Sequence, residues 1–328
     1  MLHILNGASV EKTLQESTVP GDFFSFRDAL ITGPAPAELQ TDDWCRIRAA
    51  HLADSYGVDQ SNCESGLRQQ SATIATAINH DEVVLWFEHD LFCQLNLLYL
   101  LNWFSNAELK KTKLSLVNIG EFPGRPNFRG LGELSAEELS SLFPTRASVT
   151  SAQLRLAEKA WAAFCSPDPT SIENVIKQDN SALPFLGDAL VAHLRRFPTT
   201  RNGLGEVENK SLELISNGHE SFSDLFPAFN SVKSIYGFGD AQLWLAVAEL
   251  ANARMPVVIN ENSEGQSRLT NHIVSRTAFK LTDVGTTVLR GEADYAKLNE
   301  IDRWLGGVHL QGTQLWRWDE NIERLKYC

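Results

Sequence analysis

The stretch "VVLWFEHDLFCQLNLLYLLNWF", residues 83–104, is apolar along most of its length but carries Glu88, His89 and Asp90 together near its start. The β-branched and aromatic side chains before these three residues predict a buried strand. The apolar run after them, residues 91–104, is long enough to form a nearly all-buried helix. The three ionisable side chains are therefore predicted to lie where a strand ends and a helix begins.

The pattern of apolar segments on either side extends this strand–helix unit into an α/β fold. Segments that are short, apolar and rich in β-branched or aromatic residues predict strands at 2–6, 22–30, 82–87 and 113–119. Segments with apolar residues at helical spacing predict helices at 41–56, 67–78 and 91–104. This alternation predicts a mostly parallel sheet with helices on both faces, and we assign residues 1–134 to this α/β domain.

The chain changes character after the segment "FPGRPNFRGLGEL", residues 122–134, which is rich in glycine and proline and is predicted to be a lid or boundary loop. Residues 135–328 are predicted to form a mostly helical domain. Within it, three helices, two strands around a polar stretch, and a closing helix predict a winged-helix-like module at about residues 203–292. A segment with three tryptophans, residues 302–319, is predicted to dock between the two halves.

Three blocks of the first half carry a family resemblance. They are "HILNG" with Ser9, "FRDAL" with the "GP" that follows, and "LWFEHDLFCQLNLL". On these blocks, residues 1–130 resemble the uncharacterised bacterial family catalogued as domain of unknown function 1835. The resemblance implies an α/β domain with a shared polar cluster, and it implies no particular reaction. Members of that family often have aspartate where this chain has Ala8 and Cys93.

The composition of the 328 residues is that of an ordinary globular protein with room for two domains, since 43% are apolar and 21% are charged. The formal charge of −12 opposes binding to nucleic acids. The five cysteines are scattered without a close pair, which is typical of reduced thiols in the cytoplasm. The N-terminal residues carry no basic leader and the longest apolar segment is interrupted, so we expect a cytoplasmic protein without a membrane partner.

Polar residues follow three of the predicted strands, at their carboxyl ends. They are Asn6, Gly7 and Ser9 after the first strand, Arg27 and Asp28 after the second, and Glu88, His89 and Asp90 after the third. In an open parallel sheet, ligands bind beyond these ends, where the loops converge. The sequence therefore predicts a small-molecule site here, with the charged residues of the second and third strand ends facing one pocket.

The expected ligand is a small anion that bears a phosphate or a carboxylate. Gly7 precedes a short helix whose free backbone N–H groups attract anions, and the guanidinium of Arg27 suits the same groups. Simpler interpretations stay open. Gly7 and Ser9 can form a tight turn with a serine cap, and Arg27 can form a structural ion pair with Asp28. No dinucleotide-binding or P-loop motif accompanies the glycine.

The chemistry of the site is expected to centre on His89, because nearby negative charge favours the protonated form of a histidine and makes it a stronger base. Glu88 and Asp28 are its expected catalytic partners. Asp90 either binds ligand or only caps the following helix, and Gln94 either adds a hydrogen-bond donor or is a core amide. A divalent metal held with the help of Asp28 is an alternative, but the spacing fits no metal signature. No metal ligand is assigned, and the cofactor is left open.

Two further candidates lie in the tryptophan-rich C-terminal segment. His309 and Arg317 either belong to a structural seal between the halves or reach the cleft from the seam, where pockets often form. We include both among the predicted ligand-binding residues.

Three classes of function follow from these patterns. The first is an enzyme or binder of a small anionic molecule. The second is a ligand-responsive transcriptional regulator, or another nucleic-acid-binding protein, that uses the winged-helix-like half. The third is a protein-interaction adaptor. Charge disfavours the second, because residues 203–292 carry seven Lys or Arg against eleven Asp or Glu, a net charge of −4. The helix predicted at 239–253 contains no Lys or Arg. The residues suited to DNA contact are Arg268, Asn271, His272 and Arg276.

Overall fold

A computed structural model describes residues 1–37, 40–260 and 277–328. About half of the chain is helical, and the fold is mixed α/β around a mostly parallel five-stranded sheet, as predicted. The strands are β1 (Leu2–Asn6), β2 (Asp22–Phe26), β3 (Gly33–Pro34), β4 (Glu82–Glu88), β5 (Lys113–Ile119), β6 (Ala147–Ser148), β7 (Val258–Asn260), β8 (Phe279–Leu281), β9 (Ile301–Gly306), β10 (Val308–Gly312), β11 (Trp316–Asp319) and β12 (Arg324–Tyr327).

The helices connect these strands and make up most of the second half. They are α1 (Ala8–Gln15), α2 (Thr41–Tyr56), α3 (Gln60–Thr76), α4 (Leu91–Asn106), α5 (Ala136–Leu142), α6 (Ser151–Cys165), α7 (Thr170–Ile176), α8 (Leu186–Leu194), α9 (Glu206–Ser216), α10 (Phe222–Val232), α11 (Asp240–Asn252), α12 (Asp283–Leu289) and α13 (Tyr295–Asn299). Within the described ranges, no helix combines the length and the apolar character needed to cross a membrane.

The main sheet has the strand order β2-β1-β4-β5-β6. β1 pairs in parallel with β2 on one side and with β4 on the other, β4 pairs in parallel with β5, and the short β6 is antiparallel to β5. The strand order therefore reverses between β1 and β4, so the loops that leave these two strands diverge and open a crevice at their carboxyl ends.

β4 is the central strand, and all seven of its residues are buried. Leu85 and Phe87 belong to one apolar core, whereas Val84 and Trp86 belong to a second core on the opposite face. Because successive side chains of a strand point to opposite faces, a strand that is buried along its whole length needs a covered surface on both sides. α4 packs on the first face and α1 and α5 on the second, which confirms the predicted helices on both faces.

α4 joins the sheet to the helical second half. It begins directly after Asp90, whose carboxylate caps it, and packs against α6 and α8. Leu98, Phe164 and Leu190 belong to the same buried apolar cluster, so the two halves share a core. The division at residue 134 stays a prediction. β6 follows that residue in the chain and still pairs with the sheet of the first half.

Residues 203–292 contain α9, α10 and α11, then the antiparallel pair β7–β8, then α12. Val258 in β7 lies opposite Leu281 in β8. The polar stretch between these two strands, with Arg268, Asn271, His272 and Arg276, lies outside the described residues. The winged-helix-like module therefore stays a prediction.

The C-terminal segment forms two β-hairpins that contact both halves of the chain. β9 and β10 are antiparallel, and β9 also pairs in parallel with β3, where Gly33 lies opposite Leu305. β11 pairs with β12, and the backbone N–H of Trp318 donates to the carbonyl of Pro198 at 2.9 Å. The tryptophan-rich segment is thus packed strand against strand and is no free tail.

Close packing of this segment gives a first prediction. A Cβ added to Gly307 would lie 1.9 Å from the carbonyl oxygen of Cys165 at the end of α6. Because that obstacle is backbone, we expect Gly307→Ala to lower the free energy of unfolding by about 1–3 kcal/mol. Gly187→Ala is the control, since a Cβ there meets open space within α8 and should leave stability equal or higher. Urea unfolding of both variants measures the effect, and equal stability of the two would contradict this packing.

Candidate functional site

A cleft of about 350 Å³ opens at the carboxyl ends of β1 and β4, where the strand order reverses. We call it the strand-end cleft. Ligands of open α/β sheets bind at this position because loops diverge there. Its lining residues come from the strand ends, from the predicted lid loop and from the helical half: Asn6, Glu88, Asp90, Cys93, Arg129, Gly130, Gly132, Glu133, Phe226, Asn230, Ser234, Gly237 and Phe238.

Glu88, the last residue of β4, is buried on the wall of this cleft and is only 6% exposed. Its Oε1 accepts a hydrogen bond from the backbone N–H of Leu131 at 2.7 Å, and its Oε2 accepts one from the Cys93 thiol at 2.6 Å. Among the described residues, no Lys or Arg forms an ion pair with this carboxyl group. Burial, followed by the nearby charge of Asp90, raises the pKa of Glu88 to about 7.

Asp90 is the N-cap of α4 and lies beside Glu88 in the cleft. Its Oδ1 accepts a hydrogen bond from the backbone N–H of Cys93 at 2.9 Å, which confirms the predicted cap. Burial raises the pKa of Asp90 above its ordinary value. A Cβ on Gly237 would lie 2.0 Å from Asp90 Oδ1, and the φ of Gly237 is +62°, so this glycine permits the helical half to close over Asp90.

Cys93 links the two acids to the end of β1. The side-chain amide of Asn6 donates to Cys93 Sγ at 2.7 Å, and Asn6 Oδ1 accepts from the amide of Asn96 at 2.8 Å. Burial raises the pKa of the Cys93 thiol well above its ordinary range, so this side chain is a protonated donor at neutral pH. Gln94 lies deeper, where its amide donates to the Glu88 carbonyl oxygen at 2.7 Å. It therefore holds the strand end in place and does not line the cleft.

Three of these groups could together hold a divalent cation. Glu88, Asp90 and Cys93 each offer one ligand atom, and these atoms lie within 4.8 Å of one another. Two carboxylates and a thiol are a donor set that transition metals accept. Each of these carboxyl groups also accepts hydrogen bonds within the fold, Glu88 from the Cys93 thiol and from the backbone N–H of Leu131, and Asp90 from the backbone N–H of Cys93.

Gly7 and Ser9 follow the end of β1, but neither lines the strand-end cleft, and the predicted serine cap does not form. Gly7 is the N-cap of α1 with a φ of +97°, and it makes no side-chain cap. Ser9 is exposed in the first turn of α1, so the interpretation of Ser9 as the cap is wrong. Asn6 is the one polar residue of this strand end that lines the cleft.

His89 points away from Glu88, because successive residues at a strand end face opposite sides. Its ring lies against Phe185 from the segment before α8, with the ring centroids 6.1 Å apart. Its Nδ1 is buried without a hydrogen-bond partner among the described residues. His89 is absent from the residues that line the strand-end cleft.

Arg27 and Asp28 diverge for the same reason. The side chain of Arg27 is 68% exposed and lies 3.7 Å from Glu11, outside the strand-end cleft. Asp28 is 1% exposed and pairs with Arg48 of α2, whose Nη2 lies 2.6 Å from Asp28 Oδ1. The expectation that the charged residues of the second and third strand ends face one pocket is therefore wrong. Asp28 has its carboxylate committed to a buried ion pair, which removes it from the predicted catalytic and metal-binding roles.

His309 and Arg317 do not reach the cleft either. His309 is stacked on Trp304 of the same hairpin at 4.3 Å between ring centroids, and its Nε2 lies 2.6 Å from Asp302. Arg317 is buried and pairs with Asp294 at 2.6 Å. The ion pair of His309 lies within its own hairpin, and the ion pair of Arg317 joins β11 to the residue before α13, so both side chains are engaged in structural contacts.

Several residues of the cleft were not predicted. Cys93 lies within an apolar helix, where a thiol is ordinarily inert, yet it stands three residues after a capping aspartate, and its thiol reaches Glu88 at the strand end. Arg129 and Gly130 come from the loop that the sequence marks only as a lid or boundary. Phe238 comes from the helical half, and no local pattern in the sequence indicates that it lines the same cleft as Glu88.

Comparison with known proteins assigns no family to this chain. Neither a protein-family model nor a curated protein matches this chain. The resemblance of residues 1–130 to an uncharacterised bacterial family therefore stays a prediction, and the geometry of the site carries the functional argument.

Proposed function

We propose that this protein binds a small molecule in the strand-end cleft and exchanges a proton with it through Glu88. The observation that supports this is a carboxyl group buried on the cleft wall without a Lys or Arg partner among the described residues, and this burial raises the pKa of Glu88 to about 7. A group with a pKa near the working pH can both give and accept a proton, which suits a general acid or base. Glu88 takes the central role that the sequence assigned to His89.

The charge of the cleft favours a ligand with one anionic group. The thiol of Cys93 is protonated, and the raised pKa values of Glu88 and Asp90 reduce the negative charge on the floor. Arg129 lies at the rim and is the one Lys or Arg among the described residues that line the cleft. It already pairs with Glu133 at 2.7 Å, so a phosphate or carboxylate of the ligand would share its guanidinium.

A thermal-shift screen with nucleotides, phosphorylated metabolites, organic acids and divalent metals tests this proposal, because a compound that binds the folded state raises the melting temperature. We expect a stabilising compound whose effect is lost in Glu88→Gln but kept in Glu82→Gln, which changes the opposite end of the same strand. A compound that stabilises both variants equally binds elsewhere, and that result contradicts the proposal. Absence of any stabilising compound from these classes also counts against it.

Divalent metal binding is a second candidate for the same cleft, supported by the three close ligand atoms of Glu88, Asp90 and Cys93. The screen separates the two candidates. A metal held by the cluster loses its stabilising effect in Asp90→Asn and Cys93→Ser as well as in Glu88→Gln, whereas a ligand that exchanges a proton with Glu88 depends most on Glu88.

A ligand-responsive regulator is the alternative supported by the order of elements in residues 203–292, which matches a winged-helix-like module. α11 would then be the recognition helix, but Asp240 lies in its first turn and Glu249 pairs with Arg303. An electrophoretic mobility assay at low salt tests DNA binding, and absence of retardation excludes it. A protein-interaction adaptor would show no ligand response in the thermal-shift screen and no DNA retardation.

We further propose that the protein works in the cytoplasm. The five cysteines are all free thiols, and three of them, Cys45, Cys93 and Cys165, are buried. Free thiols are typical of a reducing compartment. Fractionation of cells that express the full chain tests this location.

A further inference from the structure

A second and larger cleft, of about 610 Å³, lies between the two halves of the chain. We call it the inter-half cleft. Its walls come from β3 and α2 of the first half, and from α9, α11 and β9 of the second. Its volume is in the range of small-molecule sites, which occur preferentially at such interfaces.

Arg196, just after α8, is the group in this cleft that calls for an explanation. It is only 9% exposed, and its Nη1 donates to the carbonyl oxygen of Ile31 at 2.7 Å. That is the one hydrogen bond of its guanidinium, and no carboxylate pairs with it, within the part of the chain that the structure describes. Burial lowers the pKa of Arg196 to about 10, so the group stays charged at neutral pH. A buried charge without a counter-ion is costly to the fold.

The other well-buried arginines of the described ranges all have a carboxylate partner. Arg48 pairs with Asp28, and Arg317 pairs with Asp294, each at 2.6 Å. Arg303, on the wall of the same inter-half cleft, pairs with both Glu208 and Glu249. Among the described residues, Arg196 is thus the one well-buried arginine without a carboxylate partner, and it lies on the wall of a cleft.

The charge of the inter-half cleft limits what can pair with Arg196. Among the described residues that line it, two arginines face four carboxylates, and the one histidine, His51, is neutral because burial lowers its pKa to about 4. The lining therefore carries a net charge of −2, which repels a dianion more strongly than a monoanion. Apolar surface from Phe238, Leu245 and Trp304 offers room for an apolar body. Arg303 Nε, which is buried and has no hydrogen-bond partner among the described residues, adds a second guanidinium donor.

We propose that the inter-half cleft binds a small monocarboxylate, whose carboxylate pairs with the guanidinium of Arg196 and whose apolar body lies against Phe238 and Trp304. A planar guanidinium can hold a carboxylate through two parallel hydrogen bonds. The site shares the Phe238 side chain with the strand-end cleft but none of its charged residues, and it does not depend on the function proposed for Glu88.

Matched pairs of carboxylates and amides test this proposal on the full chain. Acetate, butyrate, benzoate and phenylacetate are each compared with the corresponding primary amide and with phenyl phosphate in a thermal-shift titration. We expect at least one carboxylate to raise the melting temperature of the wild-type chain while its amide does not. Arg196→Gln should weaken that binding by at least about tenfold, the effect of losing a charge-assisted hydrogen bond. Glu88→Gln should leave it unchanged, which separates this site from the strand-end cleft.

A ligand-free measurement tests the same claim independently. Because Arg196 has no carboxylate partner in the described ranges of the chain, Arg196→Met should unfold at a urea concentration no lower than that of the wild type. Arg317→Met, which removes an equally buried but paired arginine, should unfold at a clearly lower concentration.

Three binding results would overturn the proposal: no carboxylate stabilises the chain, an amide or phenyl phosphate stabilises it as well as the carboxylate does, or Arg196→Gln binds the carboxylate as tightly as the wild type. One unfolding result would also overturn it, namely that Arg196→Met loses as much stability as Arg317→Met.

Discussion

Replacing Arg48 with methionine lowers the free energy of unfolding by about 3–5 kcal/mol, because the substitution leaves the buried carboxylate of Asp28 without its cation. The pair is inaccessible to solvent, with side-chain exposures of 0% and 2%. The same guanidinium also donates to the carbonyl oxygens of Ala29, Thr32 and Pro34, so its loss leaves backbone acceptors unsatisfied. Urea unfolding at neutral pH measures this loss.

Arg46→Met is the matched control, because Arg46 lies on the same helix and also forms an ion pair at 2.6 Å, with Asp43. Both side chains of that pair are exposed, so water already solvates them. We expect a loss below about 1 kcal/mol. If the two substitutions had equal effects, the buried pair would not be what holds the chain between β2 and β3 against α2.

The second large effect concerns the pH dependence of stability, which Glu88→Gln should change. The folded chain keeps the Glu88 proton up to about pH 7, whereas the unfolded chain releases it near the ordinary value of 4.5. The folded state therefore binds more protons in this window, and its stability falls as the pH rises from 4.5 through about 7. The fall amounts to about 3 kcal/mol, and Glu88→Gln should abolish it. The variant should thus match the wild type near pH 4.5 and exceed its stability above pH 7.

Glu82, at the first position of the same strand, provides a control because its pKa is shifted in the opposite direction. Hydrogen bonding to Arg146 lowers the pKa of Glu82 to about 2. Its contribution is therefore fully present above pH 4.5 and is lost as the pH falls through about 2. Glu82→Gln should lower stability at neutral pH by about 2–3 kcal/mol, where Glu88→Gln raises it. Chemical denaturation from pH 4 to pH 8 compares the two variants, and a parallel response would contradict the assignment of Glu88.

The sheet and its central helix could be predicted because their signals are local. β4 and α4 are apolar on nearly all of their faces, so other elements must pack on both sides of them. The aspartate before α4 marks the residue at which the helix begins. The position of the candidate site was predictable because three ionisable residues, 88–90, stand together where the apolar strand gives way to the apolar helix. Asn6, Glu88 and Asp90 do meet there.

The partners of these residues could not be predicted, because they depend on side-chain direction and on contacts across the fold. Arg27 and Asp28 are neighbours in sequence but point to opposite sides, so Asp28 pairs with Arg48 of α2. Glu88 and His89 separate in the same way. Arg196 follows an apolar helix, where arginine ordinarily serves the helix C-terminus, and only the meeting of the two halves buries it.

Measuring the pKa of the Glu88 carboxyl group tests the proposed function most directly, because that function requires a carboxyl group that is half-protonated near neutral pH. A ¹³C NMR titration of glutamate-labelled chain follows the side-chain carboxyl carbon, and the spectrum of Glu88→Gln assigns its resonance. We predict a titration midpoint near pH 7 for Glu88, in accordance with its burial beside Asp90. A midpoint near 4.5, the ordinary value for glutamate, would show a solvated carboxylate and contradict the proposal.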